Sequence, residues 1–380
     1  MTSPVLLLSP SRGLGGGIER YVATVESAFA DRCISYQRLD LTRSGPAGHR
    51  ALLAKAATEL AAAAKPARLV LGHRALLPVA ALLARTRLVS GISVICHGSD
   101  VWGHRRGPRW HLESRLMRRR DVRVIAASSF TAGSLIPGCR AAVLPPGLSR
   151  AWFGELASAA AAGPGRRPGS IELMTAFRLG GWRDKGLAEL TAAIAALRRT
   201  DVRLTVCGSG IAPPDLLAHV SAYPWCTVRP GLADRELAAQ YAGADLLVLA
   251  TRTRAGRRPS GEGFGLVLLE AQVAGTAVVG PAHGGSPDAY LDGVTGLTPR
   301  DESVAALARV LADLVGAPGV VDAPSRLADM GARGAVWARE RFAPDRYAAL
   351  AVERLLLPGT STRHGRGRHG FRRCYGHGLK

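Results

Sequence analysis

The sequence predicts an α/β protein made of two successive parallel sheets, each covered by helices. Three observations carry this reading. Short apolar runs alternate with longer helical patterns, the runs recur as one series in each half of the chain, and a stretch of small, Gly and Pro residues parts the two series. In the first series strands are read at 5–9, 34–40, 68–72, 92–96 and 122–126, with helices at 18–30 and 49–64 between them. The opening Val5-Leu6-Leu7-Leu8 is apolar without interruption, as a strand buried on both faces requires. The second series has strands at 171–177, 202–207, 227–229, 246–249 and 277–280. The join is read at 155–170, where the small residues 157–162 run into Gly163-Pro164-Gly165-Arg166-Arg167-Pro168-Gly169, a composition suited to a hinge. This gives one unit over 1–160 and a second over 161–340. A helix at 344–357 follows, and 341–357 is read as a crossover that packs back on the first unit. The tail 358–380 carries six Arg or Lys, three His and no acid, and is expected to be disordered.

At 380 residues and 47% hydrophobic content, the chain is long enough for two domains with their own cores. It contains no apolar run of membrane-spanning length, and Val5 to Leu8 is too short for a signal-peptide core, so a cytoplasmic location is expected. The six cysteines show no CxxC spacing, which indicates neither a zinc site nor a disulfide framework. A formal charge of +21 points to nucleic acid, a membrane surface or an anionic substrate. Aromatic residues make up only 5% and no stacking motif or recognition helix accompanies the charge, so no specific nucleic-acid partner is expected. The chain has only four lysines, Lys55, Lys65, Lys185 and Lys380, and one of them falls inside a motif.

The most informative segment is Pro259-Ser260-Gly261-Glu262-Gly263-Phe264-Gly265-Leu266-Val267-Leu268-Leu269-Glu270. Its glycines let the backbone approach a ligand, and the unpaired amides of a helix starting near Gly265 suit phosphate oxygens. Glu262 in the turn and Glu270 in the helix are then free to accept hydrogen bonds from hydroxyls on either side of the anion. A second glycine-rich loop, Gly13 to Arg20, follows the first strand and opens the first helix, so its amides can also face a phosphate. It is not a clean dinucleotide fingerprint, but Asp40 at the end of the second strand would suit a ribose, which keeps an NAD-dependent oxidoreductase as an alternative. Arg178 leaves a strand at its carboxyl end, and Lys185 follows in Arg178-Leu179-Gly180-Gly181-Trp182-Arg183-Asp184-Lys185; together they can neutralise a diphosphate. His97, in His97-Gly98-Ser99-Asp100, occupies a strand's carboxyl end too, the position for binding or catalysis. His283, in Pro281-Ala282-His283-Gly284-Gly285-Ser286, is read as a loop residue. The chain has no Asp-x-Asp triplet, so no metal requirement is expected, and charge on a departing diphosphate would rest on side-chain cations and helix amides.

In this order, these segments resemble glycosyltransferase family 4 over roughly 6–356. The resemblance implies the GT-B fold, two Rossmann-like domains facing each other across a cleft, with the C-terminal helix crossing back to the first. It implies an acceptor-binding N-terminal domain and a nucleotide-sugar-binding C-terminal one. The chemistry implied is retaining transfer of a hexose or amino-hexose, with UDP the expected nucleotide and no bound cofactor. The family's E-x7-E pattern falls on Glu262 and Glu270. Glu262 and the amides of Gly263, Phe264, Gly265 and Leu266 would hold the donor sugar and phosphates, and Glu270 the ribose. The paired Arg and Lys fall on Arg178 and Lys185, the Gly-Gly loop on Gly16 and Gly17, and the histidine near the reacting sugar on His97. Gly208, in Gly208-Ser209-Gly210, and Gly231, in the base-binding turn Arg229-Pro230-Gly231, are weaker matches. Two departures stand out: Trp182 widens the spacing between Arg178 and Lys185, and Ser149 replaces the Asp usual after the Pro-x-Gly turn. For the acceptor the expected reading is an aminoglycoside or related natural-product intermediate in antibiotic biosynthesis, with an anionic lipid or cell-envelope glycan at the membrane surface as the alternative. The basic stretch His104 to Arg123 suits an anionic lipid or cell-envelope glycan and peripheral membrane contact. The opening Ser9 to Tyr21 and the Phe177 to Gly186 segment are similar to transferases of aminoglycoside-antibiotic pathways such as kanosaminyltransferases, whose polycationic small-molecule acceptors would need acids, here Glu19, Asp40 and Asp100.

Overall fold

The computed structural model describes residues 4–11, 16–102, 107–163, 169–256, 259–316 and 323–357, and in it the strands form two separate six-stranded parallel sheets. The first half supplies β1 (Val5–Ser9), α1 (Gly17–Asp31), β2 (Tyr36–Asp40), α2 (Gly45–Ala62), β3 (Ala67–Leu71) and α3 (Leu77–Leu83). It continues with β4 (Val89–Cys96), α4 (Pro108–Met117), β5 (Val122–Ala126), α5 (Ser129–Gly133) and β6 (Ala141–Val143). The second half supplies α6 (Arg150–Ala161), β7 (Ile171–Ala176), α7 (Leu187–Ala196), β8 (Val202–Gly208), α8 (Pro214–Ser221), β9 (Cys226–Pro230) and α9 (Asp234–Gly243). It ends with β10 (Leu246–Val248), α10 (Leu266–Val273), β11 (Ala277–Val279), β12 (Gly296–Leu297), α11 (Val304–Val315), α12 (Ala323–Phe342) and α13 (Pro344–Leu356).

Strand order is β2-β1-β3-β4-β5-β6 in one sheet and β12-β11-β10-β7-β8-β9 in the other. Each order reverses direction once, between β1 and β3 and between β7 and β10. Ligands of open α/β sheets bind outside the carboxyl ends of the strands at such reversals. β1, β10 and β11 are buried at every position, which accounts for their apolar sequences, unbroken but for Ser9 at the end of β1. Side-chain alternation then builds one core on each face. Leu6 and Leu8 pack with Leu52 and Leu60, whereas Val5 and Leu7 pack with Tyr21, Val25 and Phe29. In the second sheet Leu246 and Val248 face one core and Leu247 and Leu249 the other.

The crossover helix is held at both its side and its end. Tyr347, Ala348, Ala351 and Leu355 of α13 bury against α1 in the first unit's core. The last carbonyls of a helix have no partner within it. Here Arg123 donates to the carbonyls of Glu353 and Arg354 at 3.1 and 2.9 Å, while Arg68 and Ser93 donate to that of Leu355 at 2.9 and 2.6 Å. Cationic side chains at a helix C-terminus also complement its dipole.

The chain changes units earlier than the Gly/Pro-rich stretch suggests. Leu148 and Leu156 already belong to the second unit's core, and α6 packs on α9 and α10, so the passage is made around Pro145 to Ser149. Apolar packing of α6 outweighs the hinge-like composition that follows it; residues 164–168 of that composition lie outside the described residues, as does the tail 358–380. β6 and β12, three and two residues long, are edge strands too short to leave a readable pattern. α2 begins at Gly45 rather than at 49, with Pro46 in its first turn, where a missing N–H costs nothing. No helix among the described residues is long and apolar enough to cross a membrane. Leu355 is fully buried at the α13 contact, and its replacement by Ala should lower unfolding free energy by about 2–5 kcal/mol in urea titrations; a loss near zero would mean that the crossover is not anchored there.

Candidate functional site

Both reversal points open into one cleft of about 630 Å³, walled by Gly16 to Tyr21 and His97 from the first half and by Arg178, Lys185 and Gly261 to Val267 from the second. A larger groove of about 1190 Å³ lies elsewhere, on the β7 to β9 side of the second sheet against α6 and α9, and of the motif residues named above its wall holds only Arg229. The chemistry-bearing side chains gather in the smaller cleft.

Glu262 ends the loop that leaves β10, and its Oε2 accepts from Lys185 Nζ at 2.8 Å and from Thr251 Oγ1 at 3.0 Å. Burial pushes this carboxyl up, but Lys185, Thr251 and the Gly265 amide outweigh it and hold the group below the ordinary carboxylate range. Gly265 has φ +84, a left-handed conformation that favours glycine, and it caps α10 with no side-chain hydrogen bond of its own. Gly263 has a different constraint: a Cβ there would stand 2.2 Å from the His97 carbonyl oxygen, so only glycine lets the turn meet the first half this closely.

Arg178 and Lys185 both reach the cleft wall despite the wide spacing between them. A short 3₁₀ turn at Leu179–Gly181 follows Arg178, and Trp182 then tucks into the core at 6% exposure, with Arg183 over its ring. The extra residues are thus absorbed by burying the indole. The Arg178 guanidinium crosses to the first half, its Nη2 within 2.8 Å of where a Cβ on Gly16 would lie.

His97 projects from the end of β4. Its Nε2 lies 2.7 Å from the Gly72 carbonyl, which can only accept, so Nε2 carries the proton and Nδ1 is left as an acceptor. Burial lowers the ring's pKa and keeps it neutral, with Tyr21 edge-on at 5.3 Å and His73 parallel at 6.0 Å.

Gly17, Gly208, Gly231, Phe264 and Leu266 also line the cleft, and so does Glu19. Glu270 does not. It sits behind the wall, 1% exposed, accepting from Arg20 Nη1 at 3.0 Å, Trp152 Nε1 at 3.1 Å and Tyr241 hydroxyl at 2.6 Å. Asp100 and Asp40, read as acceptor contacts, are used differently. Asp100 Oδ1 takes the backbone N–H groups of His97 and Gly98 at 2.9 and 2.8 Å, shaping the loop, and Asp40 pairs with Arg38 at 2.7 Å outside the cleft wall. His283 is also absent from the wall; its loop supports Glu262 instead, through the Gly285 N–H to the Glu262 carbonyl at 2.8 Å. Sequence reading missed Arg20, Asp234 and Tyr241, all of them wall residues, and Trp152 behind them. Arg20 had a signal, one turn into the helix opened by the glycine loop. The other three depend on tertiary packing.

Two facing parallel-sheet units with a cleft between their reversal points define the GT-B class. The crystal structure of Anabaena HepE with UDP and glucose matches at TM-score 0.68 and 18% identity, covering 92% of this chain and 98% of that one. Sucrose-phosphate synthase of Thermosynechococcus elongatus matches at 0.69 and 18%, covering 92% and 97%. By sequence, residues 172–316 match the family described as glycosyl transferases group 1. A GDP-mannose-dependent alpha-(1-6)-phosphatidylinositol monomannoside mannosyltransferase of Mycobacterium tuberculosis is 30% identical over 300 residues, 73% of this chain and 72% of that one. D-inositol 3-phosphate glycosyltransferase of Streptomyces scabiei is 37% identical over 150 residues, 38% of this chain but only 30% of its own length, and the match to the Streptomyces coelicolor protein spans 49% of it. The chain belongs to the glycosyl transferase group 1 family.

A carboxylate whose pKa is depressed on folding adds stability above its ordinary value, about 4.3, that is lost as pH falls through the folded value. Lys185→Met leaves Glu262 buried without its cation, so the variant should lose about 1–3 kcal/mol at pH 7. The gap from wild type should narrow as the carboxyl protonates in acid; urea titrations at pH 7 and 4 that show a constant gap would contradict the pairing.

Proposed function

We propose that the chain transfers a sugar from a nucleoside diphosphate to an acceptor hydroxyl in the cleft, with retention of anomeric configuration. The observation that carries this reading is the meeting of Arg178, Lys185 and Glu262 around the Gly263 to Leu266 amides, beside His97. The diphosphate is placed on the α10 amides beside Arg178, whose fork can bind two oxygens at once. Glu262 and His97 Nδ1 accept from sugar hydroxyls. The bond from the anomeric carbon to the leaving phosphate oxygen breaks, the acceptor oxygen joins the same face of that carbon, and the acceptor proton passes to the departing diphosphate. Arg178, Lys185 and the amides stabilise the negative charge that develops.

For the acceptor, the favoured reading is an inositol-type headgroup presented at an anionic surface. The relatives named above act, by name, on inositol phosphate or phosphatidylinositol monomannoside, and none of them on an aminoglycoside. The structure adds one supporting feature. α4 turns Arg109, Leu112 and Arg115 outward, Leu112 at 48% exposure, and α3, which packs on α4, exposes Leu82 at 47%. A helix with basic and apolar residues on its outer face suits peripheral contact with anionic lipid. The aminoglycoside alternative would draw on Glu19 in the cleft wall, since Asp40 and Asp100 are engaged elsewhere.

The test is transfer of labelled sugar from UDP- and GDP-hexoses to D-inositol 3-phosphate, to vesicles containing phosphatidylinositol and to a 2-deoxystreptamine aminoglycoside. Product on an inositol-bearing acceptor is expected, with kcat lowered about 10²- to 10³-fold in Arg178→Ala. Product on the aminoglycoside alone would overturn the acceptor reading. Failure to consume any donor would overturn the transferase reading itself.

A further inference from the structure

We infer that Arg20 is a positioning residue for the donor nucleotide, supplied across the cleft by the first half of the chain, and that it ties nucleotide affinity to cleft closure. This rests on the reading of Glu270 as the ribose-facing carboxylate.

Glu270 collects its three donors from three different elements: Arg20 on α1, Trp152 on α6 and Tyr241 on α9. A carboxylate has room for about four donors, so one position remains for a ribose hydroxyl. Of the three, only Arg20 is charged, and it alone comes from the opposite unit. Glu270 is 1% exposed, whereas the Arg20 side chain is 46% exposed and stands in the cleft wall beside Tyr241. The guanidinium therefore lies between the buried carboxylate and the cleft. It spends one of its donors on Glu270, and as part of the cleft wall it has further N–H groups to offer a ligand.

A buried carboxylate without a cation is costly. Glu270 meets this condition only while the first half is docked, because opening the cleft withdraws Arg20 and leaves Tyr241 and Trp152, which are neutral. The closed arrangement and a charged, oriented Glu270 thus support each other. A nucleoside that bonds to Glu270 binds the closed form better than the open one, which is the requirement for a ligand to shift such an equilibrium.

The experiment measures UDP and GDP affinity by calorimetry, and donor and acceptor KM, for wild type, Arg20→Met, Arg20→Lys, Glu270→Gln and the Arg20→Met/Glu270→Gln pair. For the nucleotide that binds, Arg20→Met should weaken affinity about tenfold and Arg20→Lys should recover most of it, as for groups in direct contact. Donor KM should rise with acceptor KM unchanged, a split that general loosening of the fold would not produce. In the Glu270→Gln background, Arg20→Met should have little further effect. Wild-type affinity in Arg20→Met, or an undiminished effect in the Glu270→Gln background, overturns the inference and leaves the donor site intact. Unchanged affinity in Glu270→Gln overturns the ribose reading, and the inference with it. If Arg20→Met does not fold, Arg20→Gln, which keeps a donor but not the charge, carries the same comparison.

Discussion

The cleft depends on a close approach of two backbones. The turn at Gly263 passes the His97 carbonyl with no room for a side chain, so the loop after β10 and the loop after β4 form a single wall rather than two facing ones. Neighbouring contacts lock the same seam. Asp288 accepts from the Ser129 N–H and hydroxyl at 2.5 and 2.6 Å, and the Gly285 N–H supports the Glu262 carbonyl. His97 and Glu262 sit on the two loops that meet there. A shift of one half relative to the other would therefore change their separation directly, which is how rigid sheets can control a site that neither contains alone.

Charge in the cleft is balanced locally, in contrast with the formal +21 of the whole chain. Arg20, Arg178 and Lys185 share the wall with Glu19, Asp234 and Glu262, and Glu270 lies just behind. Two of these cations are paired with carboxylates, Lys185 with Glu262 and Arg20 with Glu270, and Arg178 lies close over Gly16. Groups paired in this way need little reorganisation in the transfer proposed above. Away from the cleft, α4 turns Arg109 and Arg115 to its outer face.

Much of this was legible in the sequence, for physical reasons that differ by element. Central strands such as β1 and β10 announce themselves because burial on both faces demands an unbroken apolar run. The edge strands β6 and β12 carry no such demand and were missed. Glu262, Arg178, Lys185 and His97 were readable because glycine turns and strand ends mark where a parallel sheet presents its ligand. Trp182 looked like an obstacle to that pattern, yet its indole is buried and the cations on either side still converge. Asp40 and Asp100 show the converse: a carboxylate near a strand end also serves to cap a loop or pair with an adjacent arginine, and only the fold distinguishes the uses. Trp152 and Tyr241 are far from the motif in sequence, and their role at Glu270 follows from the packing of α6 and α9 on α10.

The central claim is that a nucleoside diphosphate bridges both halves of the chain. Amide hydrogen exchange, with and without UDP or GDP, tests it most directly, because it reports each segment separately. Slowed exchange is expected together at Gly16 to Tyr21 and at Gly263 to Val267. Slowing confined to the larger groove against α6 and α9, or absent from both cleft segments with either nucleotide, would contradict it.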